Sequence, residues 1–258
     1  MHKLFGYPGG KWPIRHLIVS QFPEHATYVD VFGGSAAILL WKAPSKGEVF
    51  NDKNAEIVNF FRVVKHRPAE LAERSRYWLH SRGEFEILRR SPQSLDEIER
   101  AMRFWILTCD SFGGRAQSFG TSKKGMHSVT HARAYLAEVS ARLKDVHIEN
   151  LDCQRCINLY DSEETFFYLD PPYLGTKGGD GIYEQLSEKE WTGLAEMLDG
   201  IEGRFLLSSN DHPEVRRLFK KHHMRSIEVP TSLARAKEGK MRSEILVANY
   251  PFPRTKGT

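Results

Sequence analysis

Short apolar runs alternate with amphipathic stretches in the first 60 residues of the chain and again after residue 145. The apolar runs are rich in β-branched and aromatic residues, as in buried strands, and the amphipathic stretches repeat their apolar positions at helical spacing. The predicted strands are Thr27–Phe32, Glu48–Phe50, His147–Asn150, Thr165–Leu169 and Arg204–Ser208. The predicted helices are Ala55–Val64, Glu188–Leu198 and Pro213–Lys221. This alternation predicts an α/β fold with a mostly parallel sheet.

The alternation stops between residues 62 and 145, where helical patterns dominate. These patterns cover Ala69–Leu79, Asp96–Cys109 and Ala132–Leu143. The segment is too long for one crossover between parallel strands, so it predicts an insert. Near the carboxyl end, Ile227–Val229 and Ser243–Asn249 predict a closing antiparallel pair. The sequence therefore predicts one α/β domain formed by residues 1–61 and 146–258, and a helical insert of residues 62–145.

The predicted strand Thr165–Leu169 ends abruptly at Asp170, Pro171, Pro172 and Tyr173. Each proline fixes its own φ and pushes the preceding residue into an extended conformation, so this corner is rigid. The Asp170 carboxylate and the Pro171 carbonyl suit a donor such as an exocyclic amine, and the Tyr173 ring suits stacking on a base. Open α/β sheets bind ligands at the carboxyl ends of their strands, which makes the corner a candidate reactive site. An ordinary turn is the alternative.

A glycine turn follows the first predicted strand. Asp30 and Phe32 precede Gly33, Gly34 and Ser35, and an apolar helical pattern comes next. Strand, glycine turn and helix open a nucleotide-binding unit, because missing side chains let the backbone approach the ligand. The turn lacks the G-x-G-x-x-G spacing of a pyrophosphate cradle, so it favours a nucleoside site over a dinucleotide site.

Two other segments suit the same ligand. Asn51 and Asp52 close the second predicted strand, where an acid grips a ribose in such folds, although capping the next helix is an alternative role for Asp52. Near the amino end, Tyr7–Lys11 predicts a tight turn that lays its backbone against a small ligand. A frayed terminal turn is the alternative there.

The formal net charge of +4 permits binding to a polyanion without proving it. The loop Asp110–Gly125 interleaves aromatic residues, glycines and cations, which suits contact with phosphates and insertion into a base stack, and we expect it to be flexible. A second basic loop lies between the last two predicted strands. The candidate nucleic-acid contacts are Arg115, Lys123, Lys124, Arg235 and Lys237. Solvated surface is the alternative for both loops.

Composition excludes several other classes of protein. Hydrophobic residues make up 40% of the chain and charged residues 27%, and no apolar run approaches the length of a membrane helix. The amino end lacks a secretory apolar segment, so we expect a cytoplasmic monomer without a membrane partner. Cys153 and Cys156 form a C-x-x-C motif, but no second pair exists, which favours reduced structural thiols over a metal site.

In this order, the motifs resemble those of the Dam-type DNA adenine N6-methyltransferases, particularly the compact phage-associated members, over nearly the whole chain. Tyr7–Lys11 resembles the cofactor loop of that family. Asp30–Ser35 resembles its glycine motif, although Val31 stands where a proline is frequent. The other matches are Asn51–Asp52 with its ribose-binding acid, Asp152 with its acid near the cofactor adenine, and Asp170–Tyr173 with its catalytic motif.

The resemblance implies a Rossmann-like, seven-stranded S-adenosylmethionine-dependent methyltransferase sheet, mostly parallel with an antiparallel end, and a target-recognition insert. It implies methyl transfer from S-adenosyl-L-methionine to the N6 amino group of an adenine that is flipped out of double-stranded DNA, without a metal. The implied catalytic residues are Asp170, Pro171, Pro172 and Tyr173. The implied cofactor-binding residues are Tyr7, Gly10, Lys11, Asp30, Phe32, Gly33, Gly34, Ser35, Asn51, Asp52, Asp152 and Asp170.

Alternative functions remain at this stage. Cytosine N4 methylation is the nearest, but a serine usually stands there in place of Asp170, and glutamine or RNA methyltransferases usually carry an asparagine. A catalytically inactive DNA-binding protein on the same fold is an alternative from another class, and the intact Asp30, Asp52 and Asp170 argue against it. A nicotinamide dehydrogenase is disfavoured by the missing third glycine.

Overall fold

The β-rich runs of the sequence form one mixed sheet. The computed structural model describes residues 1–90, 96–120, 129–175, 184–230 and 241–253. Its strands are β1 (Thr27–Asp30), β2 (Gly47–Asn51), β3 (Val146–Glu149), β4 (Thr165–Leu169), β5 (Arg204–Asn210), β6 (His223–Pro230) and β7 (Met241–Ala248). The order across the sheet is β3-β2-β1-β4-β5-β7-β6, and β7 runs antiparallel to both its neighbours. The predicted seven-stranded, mostly parallel sheet with an antiparallel end is confirmed.

Helices cover both faces of the sheet. They are α1 (Arg15–Val19), α2 (Ala37–Trp41), α3 (Ala55–His66), α4 (Pro68–Arg74), α5 (Arg82–Arg90), α6 (Glu97–Cys109), α7 (Val129–Ala132), α8 (Leu136–Leu143), α9 (Cys153–Tyr160), α10 (Glu188–Leu198) and α11 (Pro213–Leu218). Across the described ranges, none of these helices has the length and apolar character needed to span a membrane.

The sequence predictions do not include α1, α5 or α9, and they include only the last residue of α7. Each of these helices buries only one or two side chains, such as Phe85 in α5 and Cys156 and Ile157 in α9. The predicted helix Ala69–Leu79 ends early as α4, because the chain tightens into a 3₁₀ turn at Ser75–Tyr77.

Burial on β4 alternates between two apolar clusters. All five of its residues are buried, as expected for a parallel strand covered on both faces. Phe166 and Tyr168 join a cluster that includes Trp105 of α6 and Val139 of α8, while Phe167 and Leu169 join a cluster with α9, α10 and α11. The helices between β2 and β3 therefore share a core with one sheet face.

These helices connect to the sheet through α3. Helices α6 and α8 pack against α3, which begins directly after β2 and continues to His66. The boundary predicted at residue 62 therefore falls inside α3. Asn54 caps this helix by accepting a hydrogen bond from the backbone N–H of Glu56 at 2.9 Å.

A buried ionic cluster fastens α8 to β2 and to the end of α2. Glu48 and Lys42 are each 5% exposed, and the Arg142 side chain is 8% exposed. Arg142 Nη2 donates to Glu48 Oε1 at 2.8 Å and to the Leu39 carbonyl at 2.7 Å, and Lys42 Nζ donates to Glu48 Oε1 at 2.5 Å. Although burial raises the pKa of Glu48, the hydrogen bonds from Arg142 and Lys42 together hold it below its usual value.

Replacing Glu48 with Gln leaves two buried cations without a counter-ion, and we expect the free energy of unfolding to fall by about 3–5 kcal/mol. Urea denaturation followed by circular dichroism measures this loss. The control is Glu70→Gln, because Glu70 pairs with Arg67 on the surface, where an ion pair contributes little to stability. Equal losses in the two variants contradict the assignment.

Candidate active site

The sheet reverses its winding between β1 and β4. β1 pairs with β2 on one side and with β4 on the other, so the chain leaves this point in both directions. Asp30 is the last residue of β1, and Asp170 follows Leu169 at the end of β4. Ligands of open α/β sheets bind at such a switch point, beyond the carboxyl ends of the strands.

Two side chains hold the Asp170 carboxylate. Lys11 Nζ donates to Asp170 Oδ2 at 2.7 Å and lies 2.6 Å from Oδ1, and Ser208 Oγ of β5 donates to Oδ1 at 3.0 Å. Lys11 also donates to the Gly9 carbonyl at 2.8 Å. Only 3% of the Lys11 side chain is exposed, against 19% of Asp170. The acid is therefore accessible while its main counter-ion is not.

Two features of its surroundings shift the pKa of Asp170 in opposite directions. Burial raises the pKa of the Asp170 carboxyl, and the charge and hydrogen bond of Lys11 oppose that rise. Lys11 Nζ also lies 4.9 Å from the centre of the Tyr173 ring. The corner thus places a carboxylate, its counter-ion and an aromatic face side by side.

Strand β5 fixes the corner at both ends. Ser208, which holds Asp170, also lies 3.0 Å from the hydroxyl of Tyr168. Asn210 Nδ2 donates to the Leu174 carbonyl at 3.1 Å, just beyond Tyr173. These contacts, together with the two prolines, keep the segment from β4 to Leu174 in one position.

The glycine turn after β1 is closely packed. A side chain at Gly33 would overlap the Phe50 ring, and Gly34 has a φ of 50°, which favours glycine. The Tyr7 ring packs on Gly34, with a Cβ position only 3.3 Å from the ring. The amino-terminal turn therefore lies directly on the glycine turn.

Asp52 lies beside the same turn. Its Oδ2 accepts a hydrogen bond from Gly34 N at 2.8 Å, and its Oδ1 accepts one from Asn54 N at 2.8 Å. Burial raises the pKa of Asp52 to about 6, and these two backbone donors oppose the rise. The carboxylate thus joins the glycine turn to the start of α3.

Asn51 serves the sheet. Its Nδ2 donates to the Val31 carbonyl at 2.9 Å and to the Leu151 carbonyl at 3.1 Å, and its Oδ1 accepts from Leu151 N at 2.9 Å. Both amide hydrogens and the carbonyl are thereby engaged with the backbone. Asn51 ties together the ends of β1, β2 and β3.

The remaining predicted residues lie on the same edge. Gly10 completes the amino-terminal turn by donating to the Tyr7 carbonyl at 3.0 Å, and a Cβ on Gly10 would lie 3.6 Å from Ser35 Oγ. Phe32 is half-buried against the cluster beneath α9 and α10. Asp152 is exposed and caps α9 by accepting from Arg155 N at 2.9 Å.

Asp30 is a buried acid, with 2% of its surface exposed. Burial, and after it the charge of Asp170, raise the pKa of Asp30 to about 8, and the charge of Asp52 adds to the rise. Three acids therefore converge on one edge of the sheet. Such a cluster suits a ligand that carries positive charge, because the ligand relieves the repulsion between carboxylates.

The C-x-x-C motif has no reactive character. Burial raises the pKa of Cys153 to about 11 and that of Cys156 to about 12, and both thiols are free. Reactive thiols require the opposite shift. Within the described ranges, no group of three or more metal-ligating side chains comes together.

The first basic loop makes local hydrogen bonds over its described part. Phe112 N donates to the Ser118 carbonyl at 3.0 Å, and Ser111 Oγ accepts from Ala116 N at 2.8 Å. Asp110 anchors the base of the loop and accepts from Trp78 Nε1 at 2.9 Å. Local hydrogen bonds of this kind satisfy backbone groups within the loop itself.

This loop abuts the amino-terminal turn. A side chain at Gly114 would clash with the Gly6 carbonyl, so the two backbones are in close contact. Arg115 follows at the end of the short helical turn Phe112–Gly114 and is half-buried. The other four predicted DNA contacts, Lys123, Lys124, Arg235 and Lys237, lie outside the described residues.

The family model for the D12 class N6 adenine-specific DNA methyltransferases matches residues 7–233. The chain belongs to this family.

Individual relatives are distant but extend over much of the chain. The type II methyltransferase M1.LlaDCHI of Lactococcus lactis subsp. cremoris is 24% identical over 95% of this chain and 94% of its own length. The type II methyltransferase M.MjaIII of Methanocaldococcus jannaschii is 25% identical over 65% of this chain and 67% of its own length. The DNA N-6-adenine-methyltransferase of Escherichia phage P1 is 22% identical over 84% of this chain, which spans 31% of that protein.

Membership of the D12 class confirms that the chain is an adenine-specific DNA methyltransferase, as the resemblance implied. It also makes DNA the class of substrate and implies the use of S-adenosylmethionine. Among solved structures, the rRNA methyltransferase aviRa of Streptomyces viridochromogenes is 13% identical and covers 95% of this chain and 87% of its own. Its TM-score is 0.43, a likeness too low to carry an argument.

Sequence reasoning misses two polar residues of this D12 class site. Ser208 holds Asp170, and Glu244 of β7 is fully buried near the same corner. The signal for Ser208 was its place in Ser-Ser-Asn at the end of β5, since polar residues at the carboxyl end of a parallel strand point to a site. The signal for Glu244 was an acid directly before the apolar run Ile245–Ala248.

The raised pKa of Asp30 predicts a pH-dependent stability. Below about pH 4 the acid is neutral in both the folded and the unfolded chain. Between about pH 4 and pH 8 the unfolded chain ionises while the buried acid keeps its proton, so the free energy of unfolding falls, and the loss is complete above about pH 8. We expect Asp30→Asn to exceed the wild type in melting temperature by about 4 °C or more at pH 9, and by less at pH 6. Thermal melts across this range, with the exposed Asp145→Asn as control, measure the difference. A difference that stays constant with pH contradicts the shift.

Proposed function

We propose that this D12 class enzyme methylates the N6 amino group of adenine at a specific site in double-stranded DNA, with Asp170, Pro171, Pro172 and Tyr173 as its catalytic corner. The observation that carries the proposal is the Asp170 carboxylate, held by buried Lys11 and by Ser208 at the switch point of the sheet. The glycine turn and two further acids lie beside it.

The cofactor-side residues fit S-adenosylmethionine. The close packing at Gly33 and Gly34 leaves backbone rather than side chains facing the ligand, and the Asp52 carboxylate is placed to accept hydrogen bonds from ribose hydroxyls. A bound cationic amino acid moiety favours the ionised form of Asp30 and thereby opposes the rise in its pKa. When bound, S-adenosylmethionine supplies an electrophilic methyl group. Asn51 stays a predicted cofactor contact, and its side-chain amide is bound to the backbone.

The corner beyond β4 suits an adenine amino group. Its two N–H bonds find two acceptors, the Asp170 carboxylate and the Pro171 carbonyl, while the Tyr173 ring stacks on the base. The base must leave the duplex to reach this corner, since its amino group is out of reach within the helix. An acid at Asp170, in place of serine, favours adenine over cytosine.

Lys11 favours the ionised form of Asp170, the proposed hydrogen-bond acceptor. Burial raises the pKa of Asp170, and the charge and hydrogen bond of Lys11 oppose that rise and favour the ionised carboxylate. Formation of the bond from N6 to the methyl carbon would break the bond between that carbon and the cofactor sulfur, with the electron pair passing to sulfur. The ionised Asp170 would stabilise the positive charge that develops on N6 and would then receive the proton that N6 loses. Lys11 thus acts through Asp170.

The helical segment is proposed as the DNA-reading part of the enzyme. We assign residues 1–61 and 146–258 to catalysis and residues 62–145 to target recognition. The loop around Arg115 supports this, because it touches the amino-terminal turn and carries the exposed side chain of Phe112. An aromatic side chain in this position suits insertion into a base stack during flipping. Lys123, Lys124, Arg235 and Lys237 remain predicted phosphate contacts.

We expect Asp170→Ala to lower methyl transfer to unmethylated plasmid by at least about 1,000-fold, because N6 loses its charged acceptor. Transfer of a labelled methyl group measures the rate, and sequencing for modified adenines identifies base and site. Isothermal titration with S-adenosylmethionine should show affinity within about threefold of the wild type. The matched control is Asp145→Ala, an exposed acid before β3. Near-normal turnover by Asp170→Ala refutes the assignment.

We expect Lys11→Met to lower kcat by about 100-fold. Without the ammonium the pKa of Asp170 rises further, so the acidic limb of the pH–rate profile moves to higher pH. A purely structural role for Lys11 lowers the rate equally at every pH. Lys53→Met, which removes a lysine that is 65% exposed, serves as control and leaves the profile unchanged.

A further inference from the structure

Glu244 is a fully buried acid in the antiparallel end of the sheet. It lies on β7 between Asn210 of β5 and Ile227 of β6 and has no exposed surface. A carboxylate in such a place is costly unless hydrogen bonds or a counter-ion compensate it. Neither of its oxygens accepts a hydrogen bond from the described part of the chain.

The counter-ion is Arg242, two residues earlier on the same face of β7. Arg242 Nη2 lies 2.5 Å from Glu244 Oε1, but the two groups are not aligned as a hydrogen bond. Arg242 Nε is buried and likewise lacks a hydrogen-bond partner among the described residues. The Arg242 side chain is nevertheless 41% exposed. The guanidinium group thus has a buried Nε and a solvent-exposed remainder, and its N–H groups can donate further hydrogen bonds.

The register of the sheet places this pair beside the catalytic corner. Ser208, which holds Asp170, pairs with Leu246, two residues after Glu244 and on the same face. Asn210 pairs with Glu244 itself and donates to the Leu174 carbonyl at the end of the corner. One strand therefore separates the acid from the corner.

The electrostatics agree with this placement. Burial, the charge of Asp170 and then that of Glu244 raise the pKa of Tyr173, and the charge of Arg242 opposes the rise. Glu244 also contributes to the raised pKa of Asp170, after burial and against Lys11. Both members of the pair thus act on the residues proposed to hold the base.

A nucleotide stacked on Tyr173 leaves its phosphates at the mouth of the corner, where a cation must face solvent. Lys11 does not meet this requirement, since it is 3% exposed and bound to Asp170 and Gly9. Arg242 meets the requirement for exposure, because its side chain is 41% exposed. A guanidinium group binds a phosphate through two parallel N–H donors.

We propose that Arg242, positioned by buried Glu244, binds the DNA phosphate adjacent to the flipped adenine. The inference rests on the proposed function, because it requires the base to stack on Tyr173. Arg242 contacts the substrate, whereas Glu244 is a positioning residue that keeps the guanidinium at the mouth of the corner.

The test uses the full chain and the duplex site that plasmid sequencing identifies. One duplex is unmodified, and in two others a neutral methylphosphonate replaces the phosphate on the 5′ or the 3′ side of the target adenine. We expect one replacement to weaken binding by wild-type enzyme about tenfold. Arg242→Gln should weaken binding to the unmodified duplex about tenfold, show no further loss with that replacement, and lower the salt slope by about one.

Glu244→Gln tests the positioning role. Its cofactor affinity should match the wild type, while its sensitivity to the methylphosphonate falls at least threefold. Arg242→Lys should retain a reduced sensitivity, which keeps the test valid if Arg242→Gln folds poorly. The control is Arg204→Gln, an exposed arginine at the opposite end of β5, and it should behave as wild type.

The outcomes separate the two proposals. If Arg242→Gln and Arg242→Lys are as sensitive to both methylphosphonate replacements as the wild type, the phosphate contact is overturned. The catalytic assignment then still stands if the wild type transfers methyl groups and Asp170→Ala does not. Absence of methyl transfer by wild type refutes the proposed function and the inference together.

Discussion

The ion pair between Lys11 and Asp170 is the contact on which the rest of the site depends. It joins a turn at the amino end to a corner 159 residues later, and Lys11 is almost fully buried in it. Removal of one partner of such a pair strands a charge in a low-dielectric environment, so both ends of the site are held to one position. The turn with Lys11 also packs on Gly34, through Tyr7. The proposed cofactor side and base side therefore share a single anchor.

The same pair sets the charge balance of the proposed active site. Asp30, Asp52 and Asp170 converge at the switch point, and the charge of Asp170 contributes to the raised pKa of Asp30. Among these groups the buried cation is Lys11, so an excess of negative charge remains for a cationic ligand to neutralise. On the other side of the corner Glu244 adds another buried acid, with Arg242 at the solvent boundary. In the proposed complex, the positively charged cofactor lies near the acids, and the negatively charged DNA backbone lies near Arg242.

The helices between β2 and β3 are part of this arrangement. Their apolar residues share a cluster with the sheet, and the buried cluster around Glu48 fastens α8 to β2. The loop that carries Arg115 touches the backbone of the amino-terminal turn at Gly114. A movement of the loop on DNA binding would therefore displace the turn that contains Lys11. The loop proposed for target recognition thus contacts the turn that holds the proposed catalytic acid.

The sequence by itself determined the strands, their α/β class and the residues at the carboxyl ends of β1, β2 and β4, because apolar periodicity, glycine turns and prolines act over a few residues. It did not reveal α1, α5 or α9, or more than the last residue of α7, and each of these helices buries only one or two side chains. Only the tertiary structure decided that Lys11 and Ser208 both meet Asp170, that the amide of Asn51 is bound to backbone, and that Glu244 is buried beside Arg242. These contacts join residues from different strands and turns, and their geometry depends on sheet order and on side-chain direction, which no local pattern encodes.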